Sequence, residues 1–447
     1  VVLLAWQPSM AADAGFQLSF SATLGILLLT PSLAGLLRRL PRLLALPLAA
    51  SLAAQISLAP LLLYHFHRLA LGALVLNLVA VPVSGAVLVA GSATAVADMV
   101  ARPLAYVLGW ATTWSASGLL VSSRLAQWLP GAHLRFPNPS WLALSCWLGA
   151  LVAILRRRYA WAGVWGALAL AAFVAGHPPP ADGRLHLTAL DVGDGDALIL
   201  RSPAGRLWVV DAPGGRPGAL NPGEAVVAPY LWHLGVARID RISVSHDHLD
   251  HVGGVPALLD AFEVGSLIQA PGGKAAPASS QPSTRRQIVC VGNRETWDGV
   301  EVEVLWPPCD PGERPKGNDG SLVLRLQYGM TTLLLPGDAG EAVEGFLPDD
   351  RVDVLKVAHH GRRTGNSDAY LAHLRPLLAI VSVGSHGAGG PPDPHLLVEM
   401  RRLGCRVLRT DVDGAVSVAS DGSRVWEQGY RDGVTVRHSP RLTAFPF

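Results

Sequence analysis

Long runs of Leu, Ala and Val fill the chain up to about residue 176. Beyond that point the apolar positions come in short runs broken by Gly, Pro and charged residues. In the first part, Phe16–Leu37, Leu43–Leu63, Leu69–Val96 and Trp161–Ala175 are the clearest apolar stretches. Leu104–Leu129, which carries Thr112, Thr113, Ser115, Ser117 and Arg124, and the short Trp141–Leu155 are counted with them. A helix needs about 20 apolar residues to cross a bilayer, so six membrane spans are expected within residues 1–176. Arg38, Arg39 and Arg42, then Arg102, then Arg156, Arg157 and Arg158 fall in alternate loops, and the loops between hold only Arg68 and Arg135. Cytoplasmic loops collect Lys and Arg, so this pattern expects the chain from Pro178 onward to lie outside the cytoplasm.

Polar residues inside the spans are costly in lipid unless they face a bundle interior or a water-filled path. Gln17, Ser19, Ser21, Gln55 and Asn77 are of this kind and fit a translocation path or interhelical hydrogen bonds. Pro47, Pro60 and Pro82 are expected to interrupt helices. His65 and His67 stand at a span end without a neighbouring carboxylate and read as interfacial anchors.

A stiff Pro-rich linker covers 177–183. After it, strand-like runs occur at 185–191, 197–201, 207–211, 239–245, 300–306, 321–328, 331–335, 352–357 and 377–383, with helical patterns at 225–234, 255–262, 367–374 and 394–403. This alternation predicts an α/β sheet domain over 184–447 with helices packed outside.

With 50% hydrophobic and 16% charged residues, the chain is too apolar for one soluble protein. A net charge of +2 supplies no global field to recruit nucleic acid. Cys146, Cys290, Cys309 and Cys405 are widely spaced, which points to neither a disulfide framework nor a thiolate zinc site, and they are expected to be ordinary thiols. The chain opens on Val1 without a charged region before an apolar run, which reads as a piece of a longer protein.

The chemistry concentrates after the strand ending at Ser245, where His246, Asp247, His248, Leu249, Asp250 and His251 place three imidazoles and carboxylates within six residues, before Gly253 and Gly254. Neutral nitrogens with an oxygen anion suit a divalent ion such as zinc. Two further strand ends, at Pro336-Gly337-Asp338 and Ala358-His359-His360-Gly361, add a carboxylate and imidazoles in chain order. Of the paired imidazoles, His360 is expected to be the ligand and His359 to face substrate, because successive residues leaving a strand point to opposite sides. Gly361 is expected to let the chain turn there.

The run HDHLDH at 246–251 resembles the HxHxDH motif of the metallo-β-lactamase superfamily. DVGDGDALIL at 191–200, NDGSLVLRL at 318–326, LPGD at 335–338, DVLKVAHHG at 353–361 and TDVDGAV at 410–416 are similar to the C-terminal domain of the ComEC family of DNA-uptake proteins. GFQLSF at 15–20, LAAQISLAPLLLYHF at 52–66 and NLVAVP at 77–82 resemble that family's membrane channel. The resemblance implies an N-terminal α-helical polytopic membrane bundle, truncated at its N-terminus, joined to an αββα sandwich that holds one or two zinc ions, with manganese an alternative.

It further implies metal ligands His246, His248, Asp250, His251, Asp338 and His360, with Asp250 and His248 at the catalytic water. A bound ion lowers the pKa of its water from 15.7 to about 7, within reach of phosphodiester attack. His359, Asn318, Ser321, Arg362, Thr364 and Ser367 are candidate substrate contacts or ligand supports, with Arg363 beside them. The superfamily commonly uses another histidine between the cluster and the GD carboxylate, and this chain has none from 252 to 337. The first metal position would then rest on His246, His248 and a bridging Asp338, helped by Asn318 or Asp319. Asp191, Asp194, Asp196 and Asp211 read as structural or as supports of the ligands.

As function, the resemblance implies transport of single-stranded DNA across the inner cell membrane during natural transformation, with an extracytoplasmic nuclease domain degrading the other strand. DNA, membrane lipids and DNA-delivery proteins are the implied partners. The alternatives are a membrane-anchored metallo-hydrolase of another phosphodiester and a channel whose C-terminal domain only binds DNA.

Overall fold

The computed structural model describes residues 2–438 apart from 128–133, 216, 217, 219, 274–282, 311, 314, 385–389, 432 and 434. The chain forms two compact units, one of residues 1–177 with 232–235 and one of residues 178–231 and 236–447.

In the first unit, Ala14–Leu36, Arg42–Phe66, Ala73–Val100 and Arg102–Gln127 are long helices, followed by the shorter Trp141–Leu155 and Tyr159–Ala175. Among the described residues, four helices are long and apolar enough to cross a membrane. At about 1.5 Å per residue, the other two, of 15 and 17 residues, fall short of a hydrocarbon core about 30 Å thick. The expected count of six therefore divides into four full-length helices and two shorter apolar ones. Residues 128 and 129 of the expected fourth stretch lie outside the described residues.

Asp13 starts the first long helix by accepting a hydrogen bond from the Phe16 amide at 2.8 Å. Large apolar side chains such as Leu27, Leu46, Leu88 and Val107 stay exposed along the helices, as an apolar solvent requires. Pro47, Pro60 and Pro82 do not break their helices, contrary to expectation, and sit inside continuous ones. Membrane helices tolerate such residues because neighbouring groups compensate the freed carbonyls. The intramembrane polar residues bind helices to one another: the Asn77 amide donates to Ser51 Oγ at 2.9 Å, and His65 Nε2 pairs with Gln17 Oε1 at 2.8 Å. His65 thus joins two helices, where an anchor had been expected.

The second unit is an αββα sandwich. Its seven-stranded sheet runs, in spatial order, 406–409, 378–381, 354–356, 331–335, 323–328, 300–306 and 294–297. The nine-stranded sheet runs 435–438, 425–429, 416–420, 185–189, 198–201, 207–210, 238–244, 263–269 and 285–288. Strand periodicity sends Val354 into the layer between the sheets, with Leu187, Trp208, Leu324 and Leu378, and Leu355 to the outer face. There Leu355, Leu334 and Val381 pack with Leu371, Leu374, Leu396 and Met400 of the helices Asp368–Leu374 and Pro394–Arg402.

Strands 331–335, 354–356, 378–381 and 406–409 are parallel, as are 207–210, 238–244 and 263–269. Ligand-bearing turns at the carboxyl ends of parallel strands are thereby brought together. The sequence reading passed over the strands at 263–269, 285–288, 294–297, 406–409, 416–420, 425–429 and 435–438. Several of these, such as Arg285–Ile288 and Arg294–Trp297, are polar or exposed on both faces and carry no apolar alternation.

The cysteine reading needs correction. Cys290 and Cys309 form a disulfide with Cα atoms 4.9 Å apart, and only Cys146 and Cys405 are free. The pair lies 19 positions apart along the chain, but the hydrogen bonds from Val291 to Pro307 and from Gly292 to Val304 fold the two segments together.

Candidate metal centre

Ser245 ends one parallel strand in a buried position, and the chain then turns so that residues 246–251 ring its end. Asp211, at the end of strand Leu207–Val210, organises this turn. Its Oδ1 accepts from the Ser245 amide and its Oδ2 from the Ser245 hydroxyl, both at 2.7 Å, and Oδ2 also accepts from His251 Nδ1 at 2.8 Å. The last bond fixes a proton of His251 on Nδ1 and turns Nε2 toward the site. Ser321 sends its proton to the Asn318 carbonyl at 2.6 Å. Both serine hydroxyls therefore have their protons committed, and they can only accept from His246 Nδ1, at 3.1 Å (Ser245) and 3.4 Å (Ser321). His246 thus turns an unprotonated Nε2 inward, 3.0 Å from His248 Nδ1.

Two other strand ends close the ring. Gly337, at φ +59°, lets Asp338 swing under the histidines, where a Cβ at 337 would lie 2.9 Å from Ser245 Cβ. The Asp338 amide is held by Ser321 Oγ at 3.1 Å. At the third strand end His359 and His360 have φ of 49° and 55°, and Gly361 has φ of 79°. A left-handed turn, and not the strand alternation expected, separates the two rings. Such a conformation costs about 1–2 kcal/mol per non-glycine residue and is the kind of strain that collects at functional sites. It sends His360 inward, where Nδ1 donates to the Ser382 carbonyl at 3.1 Å, and leaves His359 half-exposed.

The inward atoms converge. His251 Nε2 lies 3.3 Å and His360 Nε2 3.6 Å from Asp338 Oδ2, and His360 Nε2 lies 3.8 Å from Asp250 Oδ2. His251 Nε2, His360 Nε2 and Asp338 Oδ1 are buried with no hydrogen-bond partner. Buried polar atoms are rarely left so, and two such imidazole nitrogens facing the Asp338 carboxylate fit a divalent cation. His246, His251 and Asp338 form one group able to hold an ion, and Asp250, His251 and His360 form another. His248, exposed at the rim, joins the first through His246.

The electrostatics agree with this placement. Burial first, and His251 second, push the His246 pKa down to about 3, so that ring stays neutral. Burial opposes charge on His251, yet the carboxylates of Asp338 and Asp211 hold its pKa well above the usual value. Burial likewise works against ionised Asp338, and the facing His251 and His360 nevertheless bring its pKa well below the ordinary range. The facing His360, with Nε2 3.8 Å from Oδ2, is the main reason that the Asp250 carboxyl also lies low.

The remaining predicted residues divide. Asn318 Nδ2 donates to His359 Nε2 at 3.0 Å, and His359 Nδ1 pairs with the exposed Thr364 hydroxyl, which places these three together beside Asp338. Arg362 follows on the same turn and is half-buried. Ser321 is fully buried, so it supports His246 and Asp338 and cannot face a substrate. Ser367 is drawn away: its Oγ caps helix Asp368–Leu374 by accepting from Tyr370 and also bonds to Glu344. Arg363 pairs with Asp393 at 3.3 Å, and Asp319 accepts from the Gly340 amide at 3.0 Å. Sequence reasoning passed over Lys356, whose ammonium is fully buried against Asp196.

Residues 1–161 match the family model described as Competence protein, and residues 190–386 match that of the Metallo-beta-lactamase superfamily. ComE operon protein 3 of Bacillus subtilis is 27% identical over 93% of this chain and 56% of its own length. Competence protein ComA of Neisseria gonorrhoeae is 30% identical over 56% of this chain and 35% of its own length. Recombination protein 2 of Haemophilus influenzae is 30% identical over 51% of this chain and 28% of its own length. The chain thus spans about half the length of these curated relatives, or less. A region that matches the Competence protein model is thus followed by one that matches the Metallo-beta-lactamase superfamily model, in a chain similar to these relatives at 27–30% identity.

Proposed function

We propose that this chain takes part in DNA uptake, with the helical region conducting single-stranded DNA and the sandwich domain hydrolysing phosphodiester bonds of the other strand. The convergence of His251 Nε2 and His360 Nε2, both buried without a hydrogen-bond partner, on Asp338 Oδ2 supports a working metal centre over a domain that only binds DNA. In this reading His246, His248 and Asp338 would hold one divalent ion, and Asp250, His251, His360 and Asp338 would hold a second, zinc or manganese. Such ions supply a water acidic enough to ionise near neutral pH and neutralise charge on a phosphoryl oxygen.

The protein's own groups do the rest. Asp211 and the Ser382 carbonyl keep the protons of His251 and His360 on Nδ1, so that both rings present Nε2. Asp250, partly exposed, is placed to hold and orient the incoming water. His359, held by Asn318 and Thr364 at the mouth, stands where a phosphate oxygen would lie, with Arg362 behind it as counter-charge. The Cys290–Cys309 disulfide supports an extracytoplasmic domain, since disulfides persist in oxidising compartments. It agrees in this with the arginine-rich alternate loops.

Full-length chain in detergent, given end-labelled duplex DNA and Mn2+ or Zn2+, is expected to cleave it in a chelator-sensitive way, and His248→Ala and Asp250→Ala to abolish cleavage. Undiminished cleavage by the double variant would show that the centre is not the catalyst. Hydrolysis of a different phosphodiester with DNA left intact would favour the membrane-anchored hydrolase.

A further inference from the structure

Lys356 closes strand Val354–Lys356, and the two-residue period returns its side chain to the apolar layer that Val354 occupies. It is 0% exposed, and its ammonium meets Oδ2 of Asp196, itself 1% exposed. Asp196 lies before strand Leu198–Arg201 of the opposite sheet, so the pair crosses the sandwich. Gly195 allows the close approach: a Cβ there would lie 2.4 Å from the Asp250 carbonyl.

Asp196 is within ligand range of the metal centre. It could share a cation with Asp338 and His360, or with Asp211 and His251. Its Oδ1 is buried without a hydrogen-bond partner, 3.6 Å from His360 Nδ1. Yet His360 and His251 turn toward it the nitrogens already engaged with Ser382 and Asp211, and its Oδ2 is taken by Lys356.

We propose that Lys356 is a fixed internal counter-ion of the metal centre, a positioning residue that holds Asp196 out of the coordination sphere and sets the charge with which the centre draws its ions. The inference rests on the metal-centre reading above. Two buried charges of opposite sign a few ångströms from an ion must act on its binding in opposite directions, because screening there is weak. Loss of Lys356 frees a carboxylate to attract or ligate the ion. Loss of the Asp196 charge leaves an ammonium that repels it.

The test is calorimetric titration of the full-length, metal-stripped chain in detergent with Mn2+ alone. Lys356→Met is expected to bind Mn2+ about tenfold more tightly and Asp196→Asn about tenfold more weakly, while the neutral double variant returns to within about threefold of wild type. A pair that only holds the sheets together would weaken binding in both single variants, and that result overturns the proposal. If Lys356→Met does not fold, Asp196→Asn with wild-type affinity, or a double variant that stays weak, overturns it equally. A wild-type chain that takes up no Mn2+ defeats the metal-centre reading itself. Uptake by wild type without the opposed signs defeats this inference alone.

Discussion

Replacing Asp211 with Asn tests whether the proton positions in the site govern metal binding. Asp211 accepts three hydrogen bonds, from the Ser245 amide, the Ser245 hydroxyl and His251 Nδ1. Asn keeps the shape and tolerates the left-handed backbone, φ 62°, that this position adopts. It can serve the Ser245 amide with its oxygen, but its NH2 then faces His251 Nδ1. To accept from that amide, His251 must move its proton to Nε2, the atom 3.3 Å from Asp338.

The variant thus loses a charge-assisted hydrogen bond, worth about 1.5–3 kcal/mol, and presents a protonated nitrogen where a ligand is needed. Partners of metal-bound histidines typically contribute about 10–100-fold in affinity, or about 1.4–2.7 kcal/mol. Competition of the full-length chain against a fluorescent chelator is expected to show a loss in that range for Asp211→Asn. Ser245→Ala, which leaves the carboxylate on His251, should lose about threefold or less. Asp211→Asn within twofold of wild type would refute the tautomer reasoning.

Three other outcomes follow from the same geometry. His360→Ala should lower metal content, whereas His359→Ala should keep metal and lose turnover; the opposite pattern in metal analysis would reverse their roles. Because the carboxylates of Asp338 and Asp211 raise the His251 pKa above 6.5, an ion binding below that raised value must displace a proton. Metal affinity should therefore climb with pH by about tenfold per unit in this range, with about one proton released in calorimetry across buffers of different ionisation heat, and no release would contradict it. By the same sign, the stability that His251 contributes without metal is complete below 6.5 and fades as pH rises through its folded value. A reporter enzyme fused after Phe447 should be active only outside the cytoplasm, and cytoplasmic activity would overturn the proposed topology.

What the sequence disclosed and what it hid divide along physical lines. Residues 246–251 were legible because ligand geometry there is local, and Asp338 and His360 because each follows a strand that periodicity identifies. Asp211 was read as structural or as a support of the ligands, but the groups it holds and the burial of Lys356 were not legible, since both depend on which strands become neighbours across the fold. Lys356 reads in sequence as an ordinary charged residue, and only the sandwich packing shows it buried at 0% exposure. The left-handed turn at His359 was likewise hidden, because no glycine announces it before Gly361. The Cys290–Cys309 bond escaped for the same reason as the polar edge strands beside it: pairing set by tertiary contacts leaves no spacing rule in the chain.

The central claim is that His246, His248, Asp250, His251, Asp338 and His360 form a divalent-metal centre. Elemental mass spectrometry of the purified full-length chain, dialysed without chelator, measures it most directly. One to two zinc or manganese ions per chain are expected, falling to a trace in His251→Ala/Asp338→Ala. A chain free of metal, or a double variant that keeps the wild-type content, would contradict the account.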